Sequence, residues 1–329
     1  MMVPGLNGEL KRIALVKKIK KDTKLLLVGR KPFENFGIVN PPIYRTSTVL
    51  FKNTKELSKA ITNRFNQTYY GRYGTPTTFS LEEGIKEIEN GYRTIATSSG
   101  MSSISISLLS FLSKDAHCLI SDCIYYPTKK FATKILTKFG VRVDFYDPTN
   151  LNSLKKKINK KTKVIFMESP ASLTFEIEDI NEIIKIAKKK KIISMLDNSW
   201  ATPFYFSPIE IGVDISIIAA TKYISGHADV MLGLITTKNE KLFLKIKDTA
   251  VNLGDCPGPQ ECYLSLRGLR TLSTRLERHR SSALKIARLL ENNNKVSKVL
   301  HPALPKNDNY ELWSKYFTGS TGLFSFILK

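Results

Sequence analysis

Between about residues 81 and 237 the chain alternates two patterns. Stretches with apolar positions at helical spacing are separated by short runs that are apolar at nearly every position. A run without a polar face cannot lie on a surface, so each reads as a strand covered on both sides, as in a parallel sheet with helices on both faces. The runs are 93–97, 118–121, 141–145, 163–167, 192–196, 215–219 and 232–236. The helical stretches between them are 102–112, 128–139, 151–159 and 180–189, with Asp115, Gly140 and the Asp147-Pro148 pair where elements should end. The pattern predicts an α/β fold with a mostly parallel central sheet.

Outside this region the patterning weakens. Residues 1–70 carry Pro41-Pro42 and one extended run at 48–51, and read as an N-terminal arm; the α/β domain is expected over 71–262. Residues 263–292 read as one long helix rich in Arg and Leu, and 322–328 alternates like a single strand. A lone strand does not fold by itself, so 263–329 is expected to be the incomplete start of a C-terminal α+β domain. The 329 residues show no internal repeat and are ample for a large core.

Charge narrows the partners. Lys+Arg 51 against Asp+Glu 29 leaves +22, but the lysines fall in separate clusters at 17–24, 155–163 and 185–191, each with Ile or Leu at helical spacing. Solvated helix faces account for them, and no Arg-rich run with interleaved aromatics points to nucleic acid. Cys118, Cys123, Cys256 and Cys262 lack zinc-site pairing and suit a reducing cytosol; His117, His227, His279 and His301 lack ligand spacing, so no metal is expected. Lys11, Arg12, Lys17 and Lys18 interrupt every apolar run at the N-terminus, and no segment reaches the length of a bilayer span. A cytoplasmic protein without a membrane partner is expected.

In open α/β sheets the ligand sits beyond the carboxyl ends of the strands. There the sequence places Ser98-Ser99-Gly100-Met101-Ser102, a small-residue turn opening into a helix, which suits a phosphate or plain capping. Asp197 ends one apolar run and, if buried, needs a partner. Lys222 follows the next run, where burial would desolvate its ammonium toward a usable nucleophile. Thr221 adds a hydroxyl, and Tyr125 could stack on a flat ring. A lysine, an acid and a phosphate-ready turn together meet the needs of pyridoxal 5′-phosphate (PLP).

Longer motifs carry a resemblance. Asn40-Pro-Pro-Ile, TSTVLF from Thr46, YGRYGTPTTFSLEE from Tyr70, MESPAS from Met167, DNSWATP from Asp197, AATKYISGHADVMLG from Ala219, SLRGLRTL from Ser265, HPALP from His301 and FTGSTGLFSF from Phe317 resemble the Cys/Met-metabolism PLP enzymes. Within that family the bacterial cystathionine β-lyases are the most similar, with Trp200 and the GHADVMLG stretch tilting that way. The resemblance implies a fold type I, aspartate-aminotransferase-like subunit with PLP on Lys222, Asp197 at the pyridine nitrogen, Tyr125 on the ring, and Gly100, Met101 and Thr221 at the phosphate. Lys222 and Tyr125 are the catalytic candidates. Tyr70 and Arg72 would reach the phosphate of a neighbouring subunit, implying a homo-oligomer, in this family a tetramer. The implied reaction is β-elimination of cystathionine, an amino-acid thioether, to homocysteine, pyruvate and ammonia in methionine biosynthesis. γ-Synthase, γ-lyase and sulfhydrylase relatives share these residues. The family's C-terminal domain continues past the point matched by Lys329 and holds the arginine that grips the substrate carboxylate, so a truncated, weakly active PLP-binding remnant is the other expectation.

Overall fold

The computed structural model describes residues 19–329; the reading of Lys11, Arg12, Lys17 and Lys18 lies outside the described residues. Seven strands form one sheet: β1 (Arg93–Thr97), β2 (His117–Ser121), β3 (Arg142–Tyr146), β4 (Thr162–Glu168), β5 (Ile193–Asp197), β6 (Ile215–Ala219) and β7 (Gly233–Thr237). Their spatial order is β1-β7-β6-β5-β4-β2-β3. From β6 to β3 every neighbour is parallel, whereas β7 runs antiparallel to both β1 and β6. The cause is local: residues 220–232 contain no helix, so the chain returns directly beside β6 with Ala219 opposite Gly233.

Strand β4 shows why the runs are apolar throughout. Val164 and Phe166 enter one layer, against Ile104 and Leu108 of the helix Gly100–Leu109 and Phe243 and Ile246 of the helix Glu240–Asn252. Ile165 and Met167 enter the opposite layer, with Leu81 and Ile85 of the helix Pro76–Glu89 and Ile180 and Ile184 of the helix Ile180–Lys190. Each such side chain contributes roughly 1.5–3 kcal/mol of burial, so a polar residue on either face would be costly. The lysine clusters behave as solvated faces: Lys188, Lys189 and Lys190 are exposed while Ile183, Ile184 and Ala187 of the same helix are buried.

Two expectations change. Residues 263–292 form two helices, Pro259–Leu269 and Leu272–Glu291. At the break the N–H groups of Arg270 and Thr271 donate to the Arg267 and Gly268 carbonyls, a tighter turn that ends the first helix. The Arg275 guanidinium fills the corner, donating to the carbonyls of Tyr223 and Gly268 at 2.7 Å each and Ile224 at 3.3 Å. The apolar face runs straight across the break through Leu266, Leu269, Leu272 and Leu276, which hides it from the pattern. The strand at 322–328 is not alone either: β9 (Ser325–Leu328) pairs antiparallel with β8 (Val296–Leu300). A register shift between Val296 and Lys298 breaks the alternation of β8, so its two buried valines stand three apart.

Candidate active site

The carboxyl ends of β1, β4, β5 and β6 meet at one edge of the sheet. After β1 the Ser99 hydroxyl caps the helix Gly100–Leu109, accepting the Ser102 N–H at 3.0 Å. Two glycines let this turn sit against its neighbours. A Cβ on Gly100 would lie 2.7 Å from the Ala219 Cβ, and one on Gly233 would lie 2.2 Å from the Ser99 carbonyl oxygen. The N–H groups of Gly100 and Met101 belong to the first helical turn, where an α-helix offers its own donors no acceptor, and with the helix dipole they suit a phosphate.

Asp197 ends β5, is 7% exposed and accepts the Ser199 N–H at 2.9 Å. Ser199 in turn accepts the Ala219 N–H on its hydroxyl at 2.7 Å, tying the end of β5 to the end of β6. Burial pushes the Asp197 carboxyl up, opposed by Ser199 and by the nearby Lys222 ammonium. Lys222 itself is exposed, contrary to the expectation of a buried strand end. The strand stops at Ala219, so Lys222 stands in the following loop, with Nζ 5.6 Å from the centre of the Tyr125 ring. Thr221 pins that loop: its hydroxyl accepts the Leu232 N–H at 3.0 Å and donates to the Leu232 carbonyl at 3.2 Å.

One residue was not singled out from the sequence. Glu168, the last residue of β4, is in register with Asp197 and accepts the Tyr125 N–H at 2.7 Å on Oε2, while Ser172 donates to Oε1. Burial and then the Asp197 carboxylate push Glu168 up to about 8. The two buried carboxyls thus raise one another's affinity for protons, Glu168 the more strongly because burial and Asp197 both act on it, while the Lys222 ammonium favours charge on both. The signal was available: MESPAS sets an acid at the end of an apolar run, as at Asp197.

The structure thus brings Lys222, Tyr125 and Asp197 together and places the Gly100-Met101 turn against the end of β6. Tyr70 and Arg72 behave differently. Tyr70 is exposed, and the Arg72 guanidinium donates to the Val251 carbonyl with no hydrogen bond or ion pair to Lys222 or Asp197 among the described residues. No group of three or more His, Cys, Asp or Glu is placed to hold a metal ion among the described residues. The donor set fits PLP: a buried acid for a protonated ring nitrogen, an amine facing an aromatic ring, and a helix N-terminus for the phosphate.

Comparison with known proteins agrees with this chemistry. The model of the Cys/Met metabolism PLP-dependent enzyme family matches residues 22–329. Cystathionine beta-lyase MetC of Escherichia coli is 37% identical over 94% of this chain and 79% of its own. An L-alanine/L-glutamate racemase of Wolbachia pipientis is 39% identical over the same shares, 94% and 79%. A Campylobacter jejuni protein solved with N′-pyridoxyl-lysine-5′-monophosphate superposes with TM-score 0.89 at 28% identity, covering 94% of this chain and 85% of that one. These chains share the fold type I architecture. The chain belongs to the Cys/Met metabolism PLP-dependent enzyme family, as a PLP-dependent lyase with pyridoxal 5′-phosphate as its cofactor.

Proposed function

We propose that the chain is a cystathionine β-lyase. The observation that carries the reading is the Lys222 amine facing the Tyr125 ring beside the buried Asp197, at a site whose relatives of 37% and 38% identity in Escherichia coli and Salmonella typhimurium bear that name. When bound, PLP supplies the electron sink that makes the substrate Cα proton acidic. Lys222 Nζ, as the neutral amine, would take that proton, and its exposed position leaves it free to reach it. Asp197, held by Ser199, would keep the ring nitrogen of the cofactor protonated, and Tyr125, whose N–H is held by Glu168, would offer it an aromatic face. The N–H groups of Gly100 and Met101 with Thr221 would hold the phosphate. In the net reaction the Cβ–S bond of cystathionine breaks, sulfur leaves as homocysteine, and water completes pyruvate and ammonia.

Tyr70 and Arg72 serve the site of a second subunit in a homo-oligomer, a tetramer by family resemblance. The exposure of Tyr70, and of Phe33, Phe36 and Leu50 in the N-terminal segment, supports a partner there. We assign 1–70 to an arm, 71–262 to the PLP-binding domain and 263–329 to part of a C-terminal domain. No helix among the described residues is long and apolar enough to cross a membrane, and we place the enzyme in the cytoplasm, in methionine biosynthesis.

The test is to load the purified chain with PLP, add cystathionine, and follow pyruvate and free thiol together. Equal release of both supports the β-lyase; thiol with 2-oxobutyrate indicates γ-elimination. The racemase relative favours a second reading, in which the proton returns to Cα and nothing leaves. Inversion of L-alanine or L-glutamate without pyruvate supports that reading and refutes the first.

A further inference from the structure

The phosphate turn holds an anion of its own. Asp255 follows the helix Glu240–Asn252 and is fixed there by its N–H donating to the Ala250 carbonyl at 3.0 Å. Both its carboxylate oxygens accept the Ser98 N–H at 3.2 Å, and Oδ1 also accepts the hydroxyls of Ser98 and Ser102, the latter at 2.8 Å. Ser98 and Ser102 flank Gly100 and Met101, so the carboxylate binds on either side of the N–H groups assigned to phosphate. No ion pair within 4.0 Å joins Asp255 among the described residues; Arg72 and Lys247 line the same small pocket, and with the positive end of the helix and these three donors they offset its charge. A phosphate arriving at the same turn meets a negative charge already using the helix's attraction for anions.

We propose that Asp255 is an affinity-setting residue of the cofactor site, an internal anion that steadies the phosphate turn and weakens its hold on an incoming phosphate. The inference rests on the reading of residues 98–102 as the phosphate turn. It makes Asp255 a brake on cofactor uptake, with Ser98 and Ser102 handed from carboxylate to solvent or phosphate as the site fills. The reverse holds on release: the carboxylate recaptures its donors and keeps the turn in shape.

The experiment titrates the full chain and Asp255→Asn with inorganic phosphate and, separately, with PLP, following PLP by its Lys222-dependent visible band. Asparagine keeps the size and one acceptor oxygen and removes the charge. A charge at a helix N-terminus shifts anion affinity by about 2- to 30-fold, so Asp255→Asn is expected to tighten both ligands within that range while lowering the melting temperature of the cofactor-free chain. Ser102→Ala, which removes a donor without changing charge, is expected to stay within about twofold for phosphate. Unchanged or weaker phosphate binding by Asp255→Asn overturns the proposal and leaves Asp255 a structural anchor. The phosphate titration decides this whether or not PLP forms a band, while a wild-type chain that binds phosphate and shows no Lys222-dependent band would instead overturn the assignment of Lys222.

Discussion

Lys247 and Glu82 form an ion pair inside the protein, with Nζ 3.8 Å from Oε1 and each side chain only 6% exposed. Glu82 also accepts the N–H of Ala96, two residues before Ser98, so the pair braces the strand that presents the proposed phosphate turn. At an effective dielectric constant of 20, charges 3.8 Å apart attract by about 4 kcal/mol, much of it offset by the cost of drying both. Removing one partner leaves the other charge buried and uncompensated, so Lys247→Met is expected to cost about 3–5 kcal/mol. Glu82→Gln should cost a comparable amount by stranding Lys247. The double variant, with neither charge, should recover most of the loss, giving a coupling energy of about 2 kcal/mol or more. Urea unfolding of the four proteins at matched PLP, followed by tryptophan fluorescence, reads the cycle. The PLP dissociation constant should rise in each single variant and recover in the double. Lys247→Met within about 1 kcal/mol of wild type, or additive losses in the double variant, would refute the reasoning.

Other expectations follow from the same geometry. Lys222→Ala should abolish the visible band of the PLP-loaded chain and turnover by at least about 10³-fold while leaving the melting temperature of the cofactor-free chain within a few degrees, because an exposed side chain contributes little packing. Glu178 is fully buried, accepts the Tyr146 hydroxyl at 2.5 Å and is pushed by burial up to about 8 from an ordinary 4.5. Between those values the folded chain keeps a proton that the unfolded chain releases, so stability is highest below about pH 4.5 as far as this group is concerned and falls by about 1.4 kcal/mol per pH unit up to about 8. Glu178→Gln should remove one proton's worth of that slope in urea unfolding at pH 5 to 8; an unchanged slope would show that Glu178 does not bind it. Arg275→Leu should destabilise by about 2–4 kcal/mol and weaken PLP binding, since it strands the Tyr223 and Gly268 carbonyls beside the Lys222 loop. Arg275→Lys should recover little of either, because one ammonium cannot reproduce the planar fork.

The sheet was legible almost to the residue. Expected strands at 118–121 and 215–219 correspond to His117–Ser121 and Ile215–Ala219, because a strand buried on both faces leaves an unbroken apolar run. The antiparallel course of β7 was not legible, since its run looks like any other and only the lack of a helix at 220–232 distinguishes it. The helix break at Arg270 was invisible for the opposite reason: the apolar stripe continues while hydrogen bonds to Arg275 redirect the chain. At the site, the proximity of Lys222, Asp197 and Tyr125 followed from their places after strands, whereas the exposure of Lys222 depends on where β6 stops. Glu168 and Asp255 act through backbone N–H groups of residues far away in sequence, and no spacing rule reports such a contact.

The insertion of β7 between β1 and β6 also governs when the site can exist. Arg93 in β1 is joined to Thr237, 144 residues later, and β1 has no other strand neighbour among the described residues. During synthesis β2 to β6 can collect helices and pair among themselves, but β1 must wait with its backbone unpaired until Gly233–Thr237 has emerged. The turn that follows β1 waits with it. Cofactor capture is therefore a late event in the life of the nascent chain, and the exposed β1 edge is the interval in which folding is most open to mispairing with other strands.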